Sequence, residues 1–210
     1  MAKGRIIEID ILRTFAILMM VAYHVAYDLY AFYDWDINLF GSSWQTFRII
    51  TASLFLLIAG VTSNFSRDPL RRAMIVIGCA LLITAVTYVY DPSTFIYFGI
   101  LHCLGIGMLL LMLFRRLNEL NILLGIAVLF FPTPTAPLPT LDYYPFLPWF
   151  GLMLIGYGIG HYLYIRNDLR FLFSTFRFPL STFPGRHSLI IYLVHQPIIL
   201  LLLRLLLHSR

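Results

Sequence analysis

Charge is scarce in this chain: 12% of its 210 residues are Asp, Glu, Lys or Arg, against 60% that are hydrophobic. A soluble domain of this length carries about twice that charged fraction, so a water-exposed globular fold is excluded. Cysteine is almost absent. Cys79 and Cys103 both fall within long apolar runs, which excludes a disulfide scaffold, and their spacing matches no metal site. They read as small packing residues. The sequence also lacks a polar stretch long enough for a soluble domain, and it lacks the inverted internal repeat of many transporters. The net charge of +5 comes from basic residues grouped between apolar runs. It reflects orientation in a bilayer, and nucleic acid is not an expected partner.

What the chain has is apolar length. A hydrocarbon core of about 30 Å takes roughly 20 apolar residues per helix. Seven segments meet or approach that length: 8–32, 45–65, 71–90, 95–114, 119–132, 146–165 and 187–207. The fifth is the shortest in apolar content, because Pro132, Pro134, Pro137 and Pro139 follow at once. The expected architecture is all-α: one integral membrane helix bundle over residues 1–210 with about seven transmembrane helices. Lys3 and Arg5, then Arg67, Arg71 and Arg72, then Arg115 and Arg116, then Arg166, Arg170, Arg177 and Arg186 occupy one set of loops. The alternate loops hold Asp34, Asp36, Asp91 and Asp142 and no Lys or Arg. Positive loops stay inside, so the N-terminus is expected inside and the C-terminus outside. Met1 to Arg5 ahead of an apolar run has the outline of a signal peptide. However, the run contains Arg13 and exceeds the usual apolar core of such peptides, so it reads as a retained first span. The expected location is a bacterial inner membrane. Residues 166–186 interleave phenylalanines with arginines and suit either a segment on the inner membrane surface or a loop packed on the bundle.

Ionisable groups are costly in hydrocarbon and, where present, face a bundle interior or a wet cavity. Wound at about 100° per residue, Asp10, Arg13, His24 and Asp28 fall within a sector of roughly 60° on the first span. Asp28, one turn beyond His24, is placed to hydrogen-bond the imidazole and raise its basicity, the usual form of a general base. Arg13 lies about 16 Å along the helix from His24. It is placed to pair with Asp10 or to bind an anion entering from the cytoplasm. His102, on the fourth span, sits at a depth matching His24, with Gly99, Gly105 and Gly107 allowing close approach. His195 precedes Pro197, whose ring frees a carbonyl in the preceding turn. At the outer side, Arg48, Asp142 and Trp149 are candidates for an acceptor mouth, with Trp44 as an aromatic platform.

These pieces resemble a known family. Arg5, Glu8, Asp10 and Arg13 opening a span, then His24 and Asp28, are similar to the catalytic domain of heparan-alpha-glucosaminide N-acetyltransferase, particularly its short bacterial members. So are Gly99-Ile-Leu-His102-Cys-Leu-Gly105, the run from Asp142 to Gly151, and the run from Gly185 to Pro197. The arginine–histidine spacing also resembles that of membrane enzymes that O-acetylate bacterial polysaccharides. The resemblance implies transfer of acetyl from cytoplasmic acetyl-CoA, as co-substrate without a tightly bound cofactor, to a sugar hydroxyl or amine across the membrane. It makes His24 the catalytic histidine and Arg13 a donor-side residue; His102 and His195, from their own positions, are candidates for lining the donor site. Thr14 stands where the family commonly has glycine. The chain has fewer spans than the large eukaryotic enzyme. The residues leave two other readings open: a b-type haem protein with His24 and His102 as axial ligands, and a transporter or scaffold using the ionisable stripe as an ion path. A homo-oligomer is compatible with all three.

Overall fold

The computed structural model describes residues 6–169, 183–185 and 187–207. Lys3, Arg5, Arg170, Arg177 and Arg186, and with them most of the aromatic–arginine segment 166–186, lie outside the described residues. The described chain is helical and holds no strand. Its elements are α1 (Ile7–Tyr33), α2 (Ser42–Ser63), α3 (Pro69–Tyr90), α4 (Ile100–Phe114) with a 3-10 turn (Arg115–Leu117), α5 (Leu120–Leu129), α6 (Phe146–Gly160) with a π-helical stretch (His161–Arg166), and α7 (Ser188–Leu207). Six of these, counting the turn after α4 and the stretch after α6, are long and apolar enough to cross a bilayer. The helix α5 is not: its 10 residues rise about 15 Å.

Two compact units divide the chain, one formed by 1–54 with 173–210 and the other by 55–172, the boundary falling inside α2. In the first unit, α1 packs on α7. The turn before α7 sits against the start of α1: the Gly185 N–H donates to Thr14 Oγ1 at 3.1 Å, and a Cβ on Gly185 would collide with the Asp10 carbonyl.

In the second unit, α3 pairs with α4 and α5 with α6. The helix α3 starts cleanly. Asp68 accepts a hydrogen bond from the Arg71 N–H at 3.0 Å, and Pro69 takes the first helical position, where its missing N–H costs nothing. Leu70, Met74, Leu81, Val86 and Val89 point outward from α3, an arrangement that hydrocarbon tolerates and water would not. The pair α5–α6 runs antiparallel. Gly125 meets Gly151 and Ile155, while Gly158 meets Ile122 and Glu119. Gly125 and Gly151 face each other's carbonyl oxygens, and a Cβ on either would come within 2.6 Å of the other's. Only glycine allows the two backbones this close.

The connections of this unit sort to two ends. The segment after α3 and the segment before α6 are laced together: the Leu141 N–H donates to the Thr94 carbonyl at 2.9 Å and the Tyr144 N–H to the Phe98 carbonyl at 3.1 Å. Thr140 Oγ1 also donates to the Phe95 carbonyl at 2.8 Å. At the opposite end, Glu119 meets His161 and Arg166. The helix α5 therefore carries the chain from one end to the other despite its length, and the proline-rich stretch completes the path. Asn121 fixes the tight turn into it. This fully buried residue donates through Nδ2 to the carbonyls of Phe114 and Asn118 at 3.0 and 2.9 Å.

The fourth span begins later than expected, at Ile100 instead of residue 95. The reason is the lacing just described, which holds Phe98 extended beside Tyr143. His102 consequently stands in the first turn of α4, not deep within it.

Candidate functional site

On α1 the buried carboxylate of Asp10 lies 3.5 Å from Arg13 Nη1. Thr14 Oγ1 donates to the Asp10 carbonyl at 2.9 Å while accepting from Gly185. One hydroxyl thus ties the turn before α7 to the helix surface beside Arg13.

Ten residues beyond Thr14, His24 faces α7. Its ring centroid is 4.6 Å from that of His195, with the planes at 63°. The expected hydrogen bond between His24 and Asp28 is not the one formed. Asp28 is fully buried, and both of its oxygens accept from Gln196 Nε2, at 2.7 and 3.0 Å. The facing helix supplies an amide donor, so the carboxylate bridges α1 to α7 and does not reach back along α1. Gln196 is the residue that sequence reasoning missed. Its signal was present: an amide in an apolar helix needs a partner, and a carboxylate on the stripe of α1 needs one as well.

His195 Nδ1 lies 2.6 Å from the Tyr192 carbonyl, which can only accept, so the proton sits on Nδ1. Its Nε2 is buried and has no hydrogen-bond partner among the described residues. Aromatic rings continue outward from this pair. Tyr23 lies edge-on to His24 at 6.0 Å and to Trp44 at 6.1 Å, and Trp44 in turn meets Phe47 at 5.6 Å. Trp44 is thus part of the ring series that reaches His24. One turn further along α2, Arg48 Nε donates to Gln45 Oε1 at 3.3 Å.

The remaining candidates belong to the second unit and have local duties there. His102 Nδ1 accepts the Gly99 N–H at 3.2 Å, closing the first turn of α4 in the manner of a capping box. That leaves the proton on Nε2, which meets Thr84 Oγ1 at 3.1 Å. The Thr84 hydroxyl passes the chain on to the Ile96 carbonyl at 2.7 Å. Both ring nitrogens are engaged, so neither lone pair is open to an iron in this arrangement. Asp142 Oδ2 accepts the Ile100 N–H at 3.3 Å and so caps α4. Gly99 makes room for it, since a Cβ there would lie 2.7 Å from that oxygen. Trp149 packs edge-on against Tyr144 at 5.0 Å.

At the other end of this unit, Glu119 Oε1 contacts His161 Nδ1 at 3.1 Å and Arg166 Nη1 at 3.7 Å. A hydrogen bond from its own backbone N–H, then His161 and Arg166, hold its carboxyl below the usual range. Ser63, Ser66, Arg72 and Arg115 line a small pocket in this unit. Arg72 is braced there by Thr62, with Nη2 donating to Oγ1 at 3.0 Å.

Residues 5–197 match the family described as heparan-alpha-glucosaminide N-acetyltransferase, catalytic. The chain belongs to this family. Comparisons with curated proteins and with solved structures return no match. The part that matches the heparan-alpha-glucosaminide N-acetyltransferase catalytic domain contains Arg13, His24, Asp28, His195 and Gln196 and ends at Pro197. It therefore includes both halves of the α1–α7 contact. The protein is an integral, multi-pass membrane member of an acetyltransferase family. Thr14, also within the matched residues, has the fastening role described above.

Proposed function

We propose that the protein transfers acetyl from cytoplasmic acetyl-CoA to a hydroxyl or amine of a sugar on the extracytoplasmic side. The observation that carries this reading is the α1 stripe: a half-buried imidazole, His24, ringed by aromatics inside a membrane span, with Arg13 anchored to Asp10 on the same face. A base or nucleophile at one depth and a guanidinium nearer the cytoplasm suit a long, thin donor with phosphates at one end and a thioester at the other. The pantetheine arm spans about the 16 Å that the helix rise puts between the two residues. Trp44 offers a flat apolar face of the kind that sugars stack on.

Membranes incubated with acetyl-labelled acetyl-CoA are expected to label a glycan, and only when the label is offered at the cytoplasmic face. Label that stays on CoA in membranes containing the full-length protein would end this reading. Arg13→Lys keeps the charge and loses the planar fork, so acetyl-CoA binding should weaken measurably, and Arg13→Ala should weaken it further. Unchanged affinity in Arg13→Ala would remove Arg13 from the donor site. The sidedness has its own check. With the N-terminus inside and seven crossings, a topology reporter fused after Arg210 should be active outside only; cytoplasmic activity would mean an even number of crossings.

A further inference from the structure

We propose that His195 is the hydrogen-bond acceptor that orients His24 and steadies its charge during transfer, the duty usually held by a carboxylate. The proposal rests on the transferase reading of His24 and extends it to a positioning residue on α7. Three observations carry it. The carboxylate expected for this duty, Asp28, is committed to Gln196 through both oxygens. The ring nearest His24 is His195, at 4.6 Å between centroids. The Tyr192 carbonyl fixes the proton of that ring on Nδ1, leaving Nε2 as a lone-pair acceptor, and this nitrogen is buried without a partner among the described residues. A buried acceptor left open is uncommon and calls for an explanation. A separation of 4.6 Å between ring centroids is within the reach of a ring N–H···N hydrogen bond. Tyr23, at 6.0 Å from His24, and Tyr192, at 5.4 Å from His195, are the other polar rings facing the pair, and a phenol is a weaker acceptor than an imidazole nitrogen.

The chemistry closes without any further group. The acceptor's oxygen or nitrogen bonds to the acetyl carbon while one nitrogen of His24 takes its proton. The carbon–sulfur bond breaks and its electron pair goes to sulfur. During this step His24 is an imidazolium, and its other N–H donates to His195 Nε2. The proton taken up then passes from His24 to the thiolate, giving free CoA thiol and restoring both neutral rings. A neutral acceptor suits the location. It adds no second permanent charge beside the Asp28 carboxylate, since the two imidazoles carry a charge only while acetyl moves.

The test uses the full-length protein in lipid nanodiscs, with ¹⁵N-labelled histidine and two variants. His195→Phe keeps a ring and removes the acceptor; His195→Gln keeps an oxygen acceptor at similar reach. In the wild type, the His195 resonances should show the proton on Nδ1. In His195→Phe the ¹⁵N resonances of the His24 ring nitrogens should move, because its ring N–H loses its acceptor. His195→Gln should restore most of that change. Acetyl transfer should fall at least about tenfold in His195→Phe with KM for acetyl-CoA unchanged, and should recover in part in His195→Gln. Unchanged His24 ring resonances in His195→Phe, or a proton found on Nε2 of His195, would overturn the proposal. The resonances need no turnover, so an inactive wild type would remove the transferase reading while the pairing is still decided.

Discussion

His24→Ala is expected to abolish acetyl transfer, with a loss of at least about 10²–10⁴-fold, the range of a general-base contribution. Membrane insertion and thermal stability should stay close to wild type, because His24 is only half-buried and makes ring contacts, not ladder hydrogen bonds. Asp28→Asn sharpens the reading. Had Asp28 oriented the imidazole, its amide variant would be severely impaired. Since it bonds to Gln196, the Gln196 amide can flip and present its oxygen to the new Asn N–H, and transfer should fall far less than in His24→Ala. Rates for the two variants measured side by side with labelled acetyl-CoA decide the matter. Normal transfer in His24→Ala would make this histidine a packing residue between helices.

The largest loss of stability is expected from Gly156→Val. A Cβ at Gly156 would run into the backbone carbonyl of Leu57 on α2, which cannot swing aside as a side chain does. Overpacking of this kind costs about 1–3 kcal/mol even where neighbours give, and here α2 must separate from α6. Gly78→Ala is the matched control. Nothing lies within 4 Å of a Cβ at that position of α3, so the higher helix propensity of alanine should stabilise by up to about 1 kcal/mol. Thermal melts in detergent should therefore move in opposite directions for two substitutions of glycine in apolar helices. A melting temperature for Gly156→Val equal to wild type would show that α2 and α6 do not rely on this approach.

The spans were legible because a bilayer demands length and apolarity, and both are properties of sequence. The order of ends in the second unit was legible from Arg115, Arg116 and Arg166 against Asp91 and Asp142. The stripe of Asp10, Arg13, His24 and Asp28 was legible because these four polar residues share a face that helical periodicity alone defines. The partners across helices were not. Pairing Asp28 with Gln196, and His24 with His195, depends on the rotation of α7 about its axis, and two adjacent polar residues about 100° apart on a mostly apolar helix mark no single face. His102 was misplaced in depth for a different reason. Residues 95–99 are apolar enough to read as helix, and only the pairing of Phe98 with Tyr143, a contact distant in sequence, draws them out straight.

The π-helical stretch His161–Arg166 stores one surplus residue within its turns. The Asn167 N–H donates to the Tyr162 carbonyl at 3.3 Å, five positions back, where an α-helix would use the fourth. Loss of a single residue here would be absorbed by rewinding to α, without moving the helix upstream. The residues beyond the deletion would keep their faces, and Arg166 its place beside Glu119. This stretch is thus a place where one residue can be lost while the contacts with Leu57, Gly125 and Glu119 all stay in register.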